Sequence, residues 1–218
     1  SMWKYYRNSH EEKSPWIGVE DKLFDKVAKV EALHATVLAI NTLSDDTSKA
    51  AYVGDLVFDL DLPKDRLEDC IGFANRLVDY LSTKMDVNTL KLYASGGKGF
   101  HIVVPWECMH SRKIGVNGLP HIYKKVVKRI VSDTDLEGVD YGMYAAGKGH
   151  MLRIENKQRE DGKYKVPITV YELRKMTLES YAEFISAPRN ITFQTPSQTE
   201  IGMARLFFDA KEQWQKEK

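Results

Sequence analysis

Leu67, Cys70, Ile71, Ala74, Leu77, Val78 and Leu81 recur at steps of three and four residues, which lines one face of a helix, and Pro63 just upstream suits its start. A second helix carries the same signature. Leu119, Ile122, Tyr123, Val126, Val127, Ile130 and Val131 form its apolar stripe, while Lys124, Lys125, Lys128 and Arg129 fall on the other faces. Between the two, Lys91-Leu92-Tyr93-Ala94 and His101-Ile102-Val103-Val104 read as strands flanking Ser95-Gly96-Gly97-Lys98-Gly99, so the glycine cluster is expected to be their turn. Upstream, Ala51 to Asp61 reads as one strand whose last residues alternate apolar and acidic, preceded by an Asp45-Asp46-Thr47-Ser48 loop and ended by Pro63. Leu23, Val27, Val30 and Leu33 predict a helix over residues 20–35, followed by a strand at Thr36-Val37-Leu38-Ala39-Ile40. Further strands are expected near Met151 to Ile154 and near Lys165 to Tyr171. Beyond Pro196, the spacing of Ile201, Ala204, Phe207, Phe208 and Trp214 predicts an amphipathic terminal helix.

From Val53 to Val131 this gives β-α-β-β-α order, which the strands near 151–154 and 165–171 complete. The expectation is an α+β fold. Its centre is an antiparallel βαββαβ sheet like that of an RNA-recognition motif, over about residues 51–172, with both helices on one face and an N-terminal α/β unit packed against it. The core is expected to span residues 1–196, and residues 197–218 to form a helix leading to a further domain of a longer protein.

Composition narrows the class. At 43% hydrophobic and 29% charged residues the chain is close to globular averages, which excludes long disorder and fibrous architectures. No apolar run approaches the roughly 20 residues that cross a bilayer, and the first residues lack the apolar stretch of a secretion signal, so a soluble cytoplasmic protein is expected. Ser1 ahead of Met2 reads as a remnant of tag removal. Cys70 and Cys108 form neither a disulfide framework nor a paired zinc motif. With 32 basic and 31 acidic side chains the net charge is +1, so any attraction to nucleic acid must be local.

The chemistry begins at Phe58-Asp59-Leu60-Asp61. Two acids two apart on a strand project from one face, while Phe58 and Leu60 point the other way. Like charges this close repel unless a cation neutralises them, and their hard oxygens suit Mg²⁺ or Mn²⁺. Phosphoryl transfer with two metal ions uses such carboxylates and generally a third acid. Taken alone, the pair reads equally well as a strand-end turn or helix cap. The glycine turn Ser95 to His101 exposes backbone N–H groups beside Ser95, Lys98 and His101, a phosphate grip that is neither a Walker A loop nor a dinucleotide fingerprint. A later acid, Asp140 in Gly138-Val139-Asp140-Tyr141, precedes the basic stretch Met151 to Arg159 and then Gly162 to Ile168.

In this order the motifs resemble the archaeo-eukaryotic primase superfamily, over about Val53 to Ile168. Asp59-Leu60-Asp61 is similar to its first motif, Ser95 to His101 to its second and Val139-Asp140 to its third. The resemblance implies that Asp59, Asp61 and Asp140 bind two catalytic Mg²⁺ or Mn²⁺ ions and that Ser95 and His101, with Gly97 and Lys98 of the same turn, contact the phosphates of an incoming nucleotide. Arg153 and Lys165 match basic positions that grip the triphosphate, with Asn156 as a polar contact. It implies a template-dependent nucleotidyltransferase, a DNA primase or polymerase, with nucleoside triphosphates and a single-stranded or primed DNA template as partners and a helicase or accessory primase domain as a further one. Many such relatives carry a zinc module, but Cys108, His110 and His121 are too few for a four-ligand site, so no zinc is expected.

Two rival readings stay open. One is a catalytically silent single-strand-binding or replication-initiator module of the same fold; the other is a metal-dependent nuclease, which has no use for a triphosphate grip. Trp3, Tyr5, Tyr6 and Arg7 read either as a stacking surface for template or as packed terminal aromatics.

Overall fold

The computed structural model describes residues 1–11, 13–23, 31–110 and 115–218. In chain order its strands are β1 (Trp3–Arg7), β2 (Ile17–Glu20), β3 (His34–Thr36), β4 (Ala39–Ile40), β5 (Ala51–Val53), β6 (Leu56–Asp61), β7 (Lys91–Ala94), β8 (Gly99–Val104), β9 (Val116–Asn117), β10 (Met151–Arg153) and β11 (Val166–Ile168). The helices are α1 (Leu67–Ser82), α2 (Leu119–Thr134), α3 (Val170–Arg174), α4 (Leu178–Phe184) and α5 (Ile201–Lys216). Among the described residues the strands form two antiparallel sheets. One runs β10-β3-β1-β4-β5-β9 with β2 also paired to β1, and the other runs β11-β7-β8-β6.

The second sheet carries the predicted acids. Phe58 and Leu60 of β6, Phe100 and Ile102 of β8 and the apolar stripe of α1 are buried together, so the alternation of a strand turns Asp59 and Asp61 to the opposite face. α1 lies against β6 and β8, and α2 packs beside α1 and against β5 and α5. Both helices begin and end close to their predicted limits. β6, α1, β7, β8, α2 and β11 follow one another in the order expected, but β9 and β10 interrupt them for the other sheet and β6 lies at the edge of its sheet next to β8, so the match to an RNA-recognition-motif sheet stops at element order.

Several sequence expectations need correction. The run Ala51 to Asp61 is two strands in different sheets, because Gly54 takes φ +153° where a Cβ would sit 2.7 Å from a Leu38 side-chain carbon. That break passes the chain from one sheet to the other. The strand near Met151 to Ile154 pairs with β3 rather than completing the acid-bearing sheet; only β11 does that. The Lys165 to Tyr171 strand is shorter than expected, since Thr169 and Glu172 form a capping box that starts α3. Finally, the run Thr36 to Ile40 bends between β3 and β4, where Val37 N donates to His150 O at 3.0 Å. Of the helix expected over 20–35, Asp21–Leu23 form a single 3-10 turn, residues 24–30 lie outside the described residues, and Leu33 leads directly into β3.

α5 forms where expected, but of the residues that suggested it Ile201 and Phe208 are exposed, and Met203, Leu206 and Phe207 bury its apolar face in the main core. Among the described residues no helix is long and apolar enough to cross a membrane.

Candidate active site

β6 and β8 are in register as Asp59 opposite His101 and Asp61 opposite Gly99, and β7 adds Tyr93 beside His101. The third acid arrives by backbone pairing. Asp61 N donates to Gly138 O at 2.8 Å, Leu60 bridges Val139, and Asp140 N donates to Asp59 O at 3.0 Å. Asp140 is thereby stitched to the edge of β6 beside the acid pair.

Each carboxylate has a nitrogen neighbour of its own. The His101 Nε2 lies 3.4 Å from Asp59 Oδ1, Lys98 Nζ lies 3.9 Å from Asp61 Oδ1, and Gly142 N donates to Asp140 Oδ1 at 2.8 Å. The three carboxylates repel one another, and no three His, Cys, Asp or Glu side chains among the described residues converge closely enough to hold a metal ion as they stand. The repulsion has a signature at Asp61. Burial raises its carboxyl above the usual range, the charges of Asp59 and Asp140 push the same way, and Lys98 opposes them. An all-oxygen donor set under mutual repulsion fits a hard divalent cation in its chemistry.

The glycine turn abuts these acids. Gly99 lies so close to β6 that a Cβ would fall 1.8 Å from Leu60 O, which only glycine permits. Ser95 N donates to Gly99 O at 3.0 Å and closes the turn. His101 is fully buried, and burial lowers its imidazole to about 4, with the Lys165 charge acting in the same direction, so the ring is neutral at pH 7.

Several cations gather on the neighbouring sheet. Strand pairing places Arg7 opposite His34 and His34 opposite Arg153, a row of three basic side chains across β1, β3 and β10. A protonated His34 would set like charges directly opposite one another, which is destabilising. Burial lowers His34 to about 4, and Arg153, Arg7, His10 and Arg159 add to the effect. His34 Nδ1 and Arg153 Nη1 are buried without a hydrogen-bond partner among the described residues. Arg159 approaches the glycine turn, where a Cβ on Gly97 would lie 3.3 Å from its Nη2, and it pairs with Asp161 at 3.4 Å. The sequence offered Arg7 only as part of a stacking surface for template and gave no role to His34, because only strand pairing brings them to Arg153. Arg159 did carry a signal, its place in the basic stretch.

Lys165 is 3% exposed, its Nζ donating to Arg153 O at 2.9 Å and lying 4.5 Å from the centre of the Tyr93 ring. Burial lowers its ammonium to about 8, against the charges of Glu155 and Asp59. A cleft of about 600 Å³ opens between the sheets, lined by Val57, Tyr93 and Val103 from one and Thr36, Leu152 and Arg153 from the other, with Lys165 among its walls. Asp59 and His101 share a face with Val57 and Val103, one alternate position along β6 and β8, but do not line the cleft.

Asn156 sits differently from the other expected contacts. At φ +64° its amide donates to Arg189 O and Asn190 Oδ1 and accepts from Arg189 N, so its hydrogen-bonding groups are engaged within the fold. Tyr5 and Tyr6 are buried and Trp3 packs against the core, as packed aromatics. Cys108 Sγ faces Thr89 Oγ1 at 3.8 Å, while His110 stacks on Phe207 and His121 on Trp214.

An acid pair on one strand, a third acid bonded alongside, a tight glycine turn and a nearby gathering of cations describe a nucleotidyltransferase-type primase-polymerase. Residues 6–177 match the model of the LigD primase-polymerase domain, and the chain belongs to that family, within the archaeo-eukaryotic primase superfamily. Among curated proteins none matches the sequence.

Proposed function

We propose that the protein is a template-dependent, DNA-directed nucleotidyltransferase that joins the α-phosphate of a nucleoside triphosphate to a 3'-hydroxyl and releases pyrophosphate. The observation that carries this is the pairing of Asp140 N with Asp59 O, which brings a sequence-distant third acid to the acid pair. Asp59, Asp61 and Asp140 would hold two Mg²⁺ or Mn²⁺ ions, which when bound lower the charge barrier for hydroxyl attack and pyrophosphate departure. Ser95, Gly97 and Lys98 of the turn, with His101, meet the phosphates at one side. Arg153 and Lys165, joined by Arg159, neutralise the rest, because a triphosphate needs cations beyond the metals and arginine holds phosphate oxygens in bidentate fashion. Asn156 is left out of this set because its amide is already engaged.

The test is extension of a labelled primer on a DNA template with nucleoside triphosphates and Mg²⁺ or Mn²⁺. Extension lost in Asp59→Ala supports the proposal; no extension by the wild type with either metal, together with no triphosphate binding, sinks it. A silent single-strand binder would bind DNA equally well with and without Asp59 and never extend the primer.

A further inference from the structure

The family match ends at residue 177, yet the segment that follows holds the two elements assigned above to phosphate binding. We propose that residues 178–193 form a two-armed clamp on the triphosphate grip, with Tyr181 and Asn156 as its positioning residues. This rests on the nucleotidyltransferase reading.

The first arm is Tyr181, on α4 and 1% exposed. Its hydroxyl donates to Gly99 O at 2.7 Å and accepts from Gly99 N at 3.1 Å, and its ring meets Phe100 edge-on at 5.4 Å. One phenol thus ties both backbone groups of the glycine that closes the phosphate turn.

The second arm is the extended strap after α4. Asn156 N donates to Lys165 O at 2.8 Å, which fixes Asn156 between Arg153 and Lys165. The Asn156 amide then holds the strap by its bonds to Arg189 and Asn190, at 2.9, 3.0 and 3.2 Å. Arg189 is itself anchored, by Glu172 Oε2 at 2.8 Å and over the Phe184 ring at 4.7 Å. Farther along, Phe193 meets Tyr93 edge-on at 5.5 Å, and Tyr93 is the ring beneath the Lys165 ammonium. Tyr93, Glu155 and Asn156 line both the large cleft and a small cavity of about 90 Å³ that Asn190, Ile191 and Phe193 close from behind. They are a thin wall between ligand cleft and strap. Side chains that grip phosphate act only when held to a fraction of an ångström, and this wall is held from the strap side.

The experiment uses the full chain with two variants that spare the fold. Tyr181→Phe keeps the ring contact with Phe100 and deletes the hydroxyl; Asn156→Gly keeps the positive φ and deletes the amide. Thermal melting, hydrogen exchange of peptides covering 95–100 and 153–166, and kcat and KM for the triphosphate are measured on each. The clamp predicts retained folding, faster exchange in 95–100 for Tyr181→Phe and in 153–166 for Asn156→Gly, and KM raised about tenfold in each with kcat changed less than about twofold. Unchanged exchange overturns it, and so does faster exchange with an unchanged KM, which would make the segment a structural cover only. If the wild type neither binds triphosphate nor extends a primer, nucleotidyl transfer is refuted separately and the exchange data alone decide whether the segment clamps these elements.

Discussion

Lys165→Met is expected to stabilise the protein while weakening triphosphate binding. Lys165 is 3% exposed, and burial lowers its ammonium from 10.5 to about 8. At about 1.4 kcal/mol per pKa unit, keeping the group charged at pH 7 costs the fold roughly 3 kcal/mol. Methionine fills a similar volume without the charge but leaves Arg153 O without its donor, a loss of about 1 kcal/mol. The net gain of about 2 kcal/mol corresponds to a melting temperature raised by roughly 4–8 °C in a chain of this size. The gain has a pH signature. Below pH 8 the lysine is charged in both folded and unfolded chains and the full cost applies. Between pH 8 and 10.5 the unfolded chain binds more protons, so wild-type stability rises with pH and the variant's advantage disappears. Urea unfolding of both proteins at pH 7 and pH 10 measures this, and titration with a non-hydrolysable triphosphate should show affinity reduced by about tenfold or more. A variant less stable than wild type at pH 7, or one that keeps its triphosphate affinity, would refute the reasoning by making Lys165 a structural cation.

Gly99→Ala would force a Cβ into the Leu60 carbonyl, so a loss of about 3 kcal/mol or more is expected in chemical denaturation; a loss under about 1 kcal/mol would show that the turn can lift off β6. Asp59→Ala should reduce primer extension at least about a hundredfold while single-stranded DNA binding, measured by fluorescence anisotropy, stays within about twofold. Because His34 is lowered to about 4 in the fold, stability should fall as pH drops from 6.5 towards 4, by about 1 kcal/mol once its partial exposure is allowed for. His34→Gln should flatten that part of the stability profile, and an unaltered profile would show that His34 is not the titrating group.

The helices and the β7-turn-β8 hairpin were legible because their signals are local: a three- and four-residue apolar step for α1 and α2, and a glycine cluster between two short apolar runs. The break in Ala51 to Asp61 was hidden because apolar residues flank Gly54-Asp55 closely on both sides, and only the approach of Gly54 to Leu38 demands the turn. β10 is apolar enough for either sheet, and its pairing with β3 is a choice made far along the chain. Asp59 and Asp61 announced themselves by sharing a strand face, and Asp140 by the order of motifs. The row Arg7, His34 and Arg153 had no sequence signal, since it exists only through the register of three strands. Asn156 has the composition of a ligand contact, but its left-handed backbone and bonds to Arg189 commit it to the strap.

The most direct measurement is a crystal structure with Mn²⁺ and a non-hydrolysable nucleoside triphosphate, with the metal located by its anomalous scattering. Two Mn²⁺ peaks within coordination distance of Asp59, Asp61 and Asp140, and phosphates reaching Ser95, His101 and Arg153, are the predicted result. Metal bound away from the three acids, or a triphosphate lodged at the far end of the cleft near Asp55 and Lys91, would contradict the assignment of this site to nucleotidyl transfer.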